Sequence, residues 1–140
     1  MAAGVDGPLT LEALDEQEAR FADAYAAGDI TRAQELYGPD VVYLSPTTRL
    51  YGWPWRIEGR ERTLEFIQLT ITGLANVSYR VVERAVVPTG GAYVLVHFDF
   101  DAARTRLRSR YVAVYRYRDG RIAQQELYYD PSGRLEPVAR

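Results

Sequence analysis

From Tyr111 to Asp130 the chain reads YVAVYRYRDGRIAQQELYYD, two alternating runs joined by Asp119-Gly120. Side chains alternate along a strand, so Tyr111, Ala113, Tyr115 and Tyr117 share one face of the first run, opposite Val112, Val114, Arg116 and Arg118. On the second run Ala123, Gln125, Leu127 and Tyr129 alternate against Gln124, Glu126, Tyr128 and Asp130. Asp-Gly between two such runs predicts a tight hairpin, because glycine takes the positive φ of a primed turn without strain. Upstream, Val77 to Val87, Ala92 to Phe100 and Leu107 to Arg118 read as three longer strands, with a turn at Thr89-Gly90-Gly91.

The first half of the chain has a helical period instead. Leu11, Leu14, Phe21 and Tyr25 recur at three- and four-residue steps or pairs of them; Thr10 is a fitting N-cap and Gly28 a fitting stop. Asp29 caps a second short helix, Ile30 to Tyr37, ended by Gly38-Pro39. Val41 to Ser45 reads as a short strand, and Pro46 to Gly59 as a long loop carrying Tyr51, Trp53 and Trp55. Arg60 to Thr72 predicts a third helix with Leu64, Ile67 and Ile71 as its apolar stripe. Helices first and an antiparallel meander after them predict an α+β fold whose helices cover one face of a curved sheet.

Composition narrows the chemistry. A length of 140 residues fits one domain, expected over 9–131, with a flexible tail over 1–8 and another over 132–140. A hydrophobic fraction of 47% argues against disorder, and a net charge of −2 gives no support to a nucleic-acid or anionic-membrane partner. There is no Cys, so disulfides and thiolate catalysis are excluded. All 17 basic residues are Arg, which excludes a Lys Schiff base. His97 is the only histidine, so no multi-His metal site forms within one chain, and neither a metal nor a cofactor is expected. No basic region precedes an apolar run at the N-terminus and no stretch is apolar enough to span a bilayer. A cytoplasmic protein is the expectation.

Four segments carry a resemblance: Phe21 to Asp29 (FADAYAAGD), Leu36 to Pro46 (LYGPDVVYLSP), Gly59-Arg60-Glu61, and Tyr117 to Ile122 (YRDGRI). With them the chain from Leu11 to Asp130 resembles the nuclear transport factor 2-like superfamily, in particular its SnoaL-like polyketide cyclase and ketosteroid isomerase branches. The resemblance implies a cone-shaped curved antiparallel sheet wrapped around the N-terminal helices, a cystatin-like α+β roll, and a homodimer. The known catalytic positions do not carry over. The isomerase's base falls on Ser45, its helix-borne Tyr on Phe21 and its hydrogen-bonding acid on Ala113; the cyclase's Asp falls on Leu127.

The same resemblance turns Tyr43, Ser45, Tyr111, Ala113, Tyr115, Gln125, Leu127 and Tyr129 toward one pocket, neutral and aromatic, suited to a flat hydrophobic or aromatic small molecule. Tyr43, Tyr111, Tyr115 and Tyr129 would hold and polarise the ligand, with Ser45 and Gln125 orienting it. Phe21 and Tyr25 on the first helix would add to the binding surface, and Trp53 and Trp55 would form either a lid or a contact to a partner subunit. Asp130 is the carboxylate nearest the expected pocket mouth. His97, Asp99 and Asp101 alternate with Val96, Phe98 and Phe100 and are expected to point outward as cross-strand ion-pair partners. Two functions fit: a cofactor-independent cyclase or isomerase of a polycyclic, polyketide-derived intermediate, working by confinement and neutral hydrogen bonds, or a binding protein of the same fold without chemistry.

Overall fold

The computed structural model describes residues 10–102, 104–129 and, in backbone, 136–137. Helix α1 (Leu11–Ala27) begins where the extended Thr10 accepts from the Ala13 amide, and ends at Gly28, whose φ of 68° lets its amide reach back to the Ala24 and Tyr25 carbonyls. Of the predicted stripe, Leu14, Phe21 and Tyr25 are buried, while Leu11, in the first turn, is exposed; Gln17, Glu18 and Ala24 are buried with them.

The second helical stretch is a tighter 3-10 helix, Ile30–Leu36, and Tyr37 already opens strand β1 (Tyr37–Leu44). The strand thus starts ahead of the expected Val41 and runs through Gly38-Pro39. Two facts allow this. Tyr37 is wholly buried, with its hydroxyl donating to Gln125 Oε1 at 2.6 Å. Pro39 falls where the register shifts between Tyr37 and Val42, so its missing N–H removes no regular ladder bond. The expected long loop is also partly ordered. Pro46–Tyr51 form another 3-10 helix, and Arg56–Glu58 form β2, antiparallel to β1. Helix α2 (Arg60–Thr72) matches its predicted bounds, and its Phe66 meets the rings of Tyr43, Tyr51 and Trp53 at 5.9, 5.7 and 5.3 Å, which pins that segment to the body.

Strands β3 (Ala75–Val86), β4 (Ala92–Ala102), β5 (Thr105–Arg118) and β6 (Arg121–Tyr129) make the expected antiparallel meander. Asp119 and Gly120 both have positive φ, the mark of a primed hairpin turn. The sheet order is β2-β1-β6-β5-β4-β3, and β1 joins β6 in parallel, a pairing the reading of the meander did not include. The register shifts between Arg116 and Tyr117, so Ala123 is passed over and Ile122 turns inward beside Tyr117. Backbone strand β7 (Glu136–Pro137) pairs with β5 at Leu107 and Arg108, beyond the reach of β6. The expected tail over 1–8 lies outside the described residues, as does all of 132–140 apart from these two.

One face of this curved sheet wraps the helices, giving an α+β architecture. Val94, Val96, Phe98 and Phe100 of β4 and Tyr111, Ala113, Tyr115 and Tyr117 of β5 form the buried face. Their polar alternates lie outside, where Arg108 pairs with Asp99 at 3.1 Å and Arg106 with Asp101 at 3.3 Å. No helix among the described residues is long and apolar enough to cross a membrane.

Candidate functional site

Between the inner sheet face and the helices the packing leaves a cavity of about 420 Å³. Every layer contributes to its wall: Tyr25 from α1, Tyr43 from β1, Thr47, Leu50 and Tyr51 from the 3-10 helix after β1, Ile67 and Ile71 from α2, Phe98 and Phe100 from β4, Ser109 and Tyr111 from β5, and Leu127 and Tyr129 from β6. Among the described residues no Asp, Glu or His is in this lining, and Arg110 is its one charged member. The mouth is marked by Leu50, 82% exposed.

Of the residues expected at a pocket, Tyr25, Tyr43, Tyr111, Leu127 and Tyr129 meet here. The rings of Tyr111 and Tyr129 stand 5.2 Å apart. Burial pushes the phenols of Tyr43 and Tyr111 well above the usual range, and each is raised further by the charge its neighbours would carry if ionised. The phenol of Tyr25 is raised for the same reasons, burial first and Tyr129 next. These hydroxyls are thus fixed as neutral donors over any ordinary pH. Among the described residues neither Tyr25 nor Tyr111 has a hydrogen-bond partner for its hydroxyl, and neither oxygen is sealed inside the protein. Two donors without a protein partner thus line a mostly apolar space.

The other expected residues stand elsewhere, each for a packing reason. Phe21 is core, stacked between Tyr25 and Tyr115 at 6.3 Å from each. Tyr115 shares the face of Tyr111 but sits four residues further along β5, behind the cavity, and donates to Glu18 at 2.9 Å. Gln125 is buried and taken up by Tyr37. Ser45 is buried beside Tyr43 and caps the following 3-10 helix by accepting from the Thr47 amide at 3.2 Å. Trp53 packs on Phe66 with the Arg62 guanidinium 4.3 Å above its ring, and Trp55 is 46% exposed outside the cavity wall. Asp130 lies outside the described residues.

His97 points away from the cavity, its Nδ1 3.4 Å from Arg80 Nη2. Partial burial lowers its basicity, and the guanidiniums of Arg108, Arg110 and Arg80 lower it further. A neutral imidazole on the far side of the sheet touches no ligand, so His97→Gln is expected to change cavity-ligand affinity by less than about 1 kcal/mol; titration calorimetry measures this directly.

Sequence reasoning missed Glu18. It is 4% exposed, on the buried face of α1. Its Oε1 accepts from the Tyr79 hydroxyl; its Oε2 accepts from Tyr115 at 2.9 Å and from Gln17 Nε2 at 3.0 Å. Gln17 in turn accepts from the Tyr117 hydroxyl at 2.8 Å. Burial raises its carboxyl above the ordinary range, and the donors from Gln17, Tyr79 and Tyr115 offset part of that. The folded chain therefore binds this proton more tightly than the unfolded one. The resulting stability is present below the unfolded carboxyl range and is lost as pH rises through the folded value. The one available signal was a period argument: Glu18 sits one turn before Phe21 and one after Leu14, on the stripe. No group of three or more His, Asp or Glu among the described residues is arranged to hold a metal ion.

Comparison with known proteins supports this architecture. No curated protein matches the chain. Among solved structures, a Bacillus subtilis protein provisionally named an isomerase is 22% identical, the match covering 87% of this chain and 89% of that one with a TM-score of 0.73. A protein of ketosteroid isomerase-like fold from Catenulispora acidiphila, solved with trimethylamine, is 15% identical over 84% of this chain and 87% of its own, with a TM-score of 0.68. TerC, co-crystallised with polyporic acid, is 20% identical over 84% and 92%, with a TM-score of 0.69. At these identities the likeness is one of fold. The model of the SnoaL-like domain matches residues 19–125, from the middle of α1 to the inward Gln125 of β6, and the chain belongs to that family, within the nuclear transport factor 2-like superfamily.

Proposed function

We propose that the cavity binds a flat, mostly apolar small molecule bearing a carbonyl-type oxygen, and that the protein cyclises or isomerises it without a cofactor. The SnoaL-like fold is compatible with either activity. The observation that carries the reading is the pair of hydroxyls without a protein partner, Tyr25 and Tyr111, in a wall that is mostly ring and aliphatic carbon, with Thr47, Thr70, Ser109 and Arg110 as its other polar members. A hydroxyl that opens onto a cavity with no protein acceptor is free to donate to a ligand, and a neutral hydrogen bond of this kind contributes about 1 kcal/mol. Tyr43 and Tyr129 flank them, with Ser45 behind Tyr43. Phenols that stay neutral stabilise an oxygen on which charge develops by donating to it, and the enclosing wall fixes the ligand's shape, so confinement and orientation supply the rest. The co-crystals of TerC with polyporic acid and of the Catenulispora protein with trimethylamine support the view that this fold accommodates small organic molecules.

Among the described residues the cavity lining holds no carboxylate or imidazole to act as a base, and this favours the second reading, a binder without chemistry. Both readings require the cavity, and binding comes first. The probe is 9-fluorenone, a flat neutral ketone with no proton to lose. In a nuclear magnetic resonance titration it is expected to shift Tyr25, Tyr111 and Leu127 while leaving His97 and Trp55 in place. Shifts confined to the outer sheet face, or none, would remove the site.

The outer face gives the partner proposal its ground. Tyr93 lies opposite Val114, Leu95 opposite Val112, and Val112 opposite Tyr128, an apolar patch across three strands in which Tyr93 and Tyr128 are exposed. A second copy of the chain, docked through the same patch, covers it symmetrically. Light scattering on Val112→Arg against the unaltered chain tests this: a dimer is expected to become a monomer.

A further inference from the structure

Glu18 is a buried carboxyl that the cavity reading leaves without a task. None of the ion pairs among the described residues involves it; three neutral donors hold it instead. Its partners reach the cavity in two ways. Tyr79, which donates to it, stands 5.1 Å ring to ring from Tyr25 and 6.2 Å from Phe98, both in the cavity wall. Tyr115, which also donates to it, stacks on Phe21, which stacks on Tyr25. Glu18 and Tyr25 are two turns apart on the same face of α1. Its charge is also close enough to be felt by the phenols of Tyr25 and Tyr111, the two unpartnered donors.

We propose that Glu18 is a positioning residue of the cavity whose proton and a ligand oxygen bind cooperatively: the oxygen sits between Tyr25 and Tyr111 most favourably while Glu18 is neutral. This rests on the cavity reading above. Two physical effects give the sign. A negative carboxylate repels the partial negative charge of an oxygen held at the neighbouring phenols, and the repulsion is weakly screened in a low-dielectric interior. A ligand also displaces water from the cavity, which removes solvation from an ionised Glu18 and favours its neutral form. If the ligand raises the proton affinity of Glu18, the proton raises ligand affinity by the same factor, because coupling between two bound species is reciprocal.

The other groups around Glu18 do not mimic this. Tyr25 on α1, Tyr37 on β1, Tyr79 on β3 and Tyr111, Tyr115 and Tyr117 on β5 all have raised phenols that stay neutral. Asp15, one turn earlier, is held ionised by its bond to Arg84 at 2.8 Å. His97 lies on the opposite face of the sheet.

The test is calorimetric titration of the whole protein with 9-fluorenone between about pH 4 and 9, in paired buffers of different ionisation enthalpy. The unaltered chain is expected to bind at least about fivefold more weakly at the alkaline end than at the acid end and to take up a proton on binding where the affinity changes. Glu18→Gln keeps a neutral hydrogen-bonding side chain and is expected to bind with the acid-end affinity throughout and with no proton uptake. His97→Gln is expected to retain the full pH dependence. A flat affinity in the unaltered chain, or a pH dependence that survives Glu18→Gln, overturns the coupling. If fluorenone binds at no pH, the cavity reading itself has failed, a result distinct from binding with flat affinity. Should Glu18→Gln not fold, proton uptake by His97→Gln decides: uptake in the absence of that imidazole supports the coupling and its absence refutes it.

Discussion

Phe66→Ala lowers the stability of the fold by about 3–5 kcal/mol and loosens the cavity in the same stroke. Phe66 is fully buried on α2, and three aromatic rings from the preceding segment converge on it: Tyr43 from β1, Tyr51 from the end of the 3-10 helix, and Trp53 just beyond it. Alanine leaves a void that four elements would have to collapse into, and β1 cannot follow because it is hydrogen-bonded on both sides, to β2 and to β6. Little of the lost packing is recovered, which places the cost toward the upper part of the range for a buried Phe. The thermal midpoint is expected to fall by roughly 10 °C or more. Phe66→Leu keeps most of the volume and is expected to cost less than half as much. Thr47, Leu50 and Tyr51 line the cavity from the segment Phe66 secures, so fluorenone affinity falls with Phe66→Ala as well. A midpoint lowered by less than about 3 °C would show that this segment is held by something other than the Phe66 cluster.

Much of this arrangement is readable from residue types and spacing, and the parts that are not share one cause. Alternation assigns a side chain to a face of a strand, and it did so for Val94, Val96, Phe98 and Phe100 inside and His97 and Asp99 outside. Alternation says nothing of position along the strand. Tyr111 and Tyr115 occupy the same face, yet four residues at about 3.3 Å each separate them by roughly 13 Å. One reaches the cavity; the other reaches Glu18 because α1 crosses the sheet at that level. The same limit hid Glu18. Within its helix it stands among Glu12, Asp15 and Glu16, and a charged residue in such company reads as solvated. Its partners Tyr79 and Tyr115 lie 61 and 97 residues further on, so only the tertiary fold brings them over it. Tyr37 departs from its expected place at the end of a helix for a related reason: local signals at Gly38-Pro39 favour a stop, and they are overridden by the hydrogen bond to Gln125, 88 residues away.

Tyr111 and Tyr115 therefore provide the sharpest test of where the cavity is. Tyr111→Phe removes one donor and keeps the ring, so fluorenone is expected to bind about fivefold more weakly, the worth of a neutral hydrogen bond near 1 kcal/mol. Tyr111→Ala removes the ring too, and with it the contacts to Phe98 and Tyr129 that shape the wall. Affinity is then expected to fall by about two orders of magnitude, because stacking area and cavity shape are lost together. Tyr115 is expected to behave in the opposite way. Tyr115→Phe takes no donor from the ligand, but it leaves Glu18 Oε2 with Gln17 alone. Its cost appears in stability, about 1–3 kcal/mol for a buried acceptor losing a partner, and in a Glu18 still harder to ionise. By the coupling proposed above, the pH at which fluorenone affinity declines moves upward in Tyr115→Phe and stays put in Tyr111→Phe. If the two Phe variants weaken fluorenone equally with no shift of the pH profile, the two tyrosines face the same space, and the separation between cavity wall and buried acid is wrong.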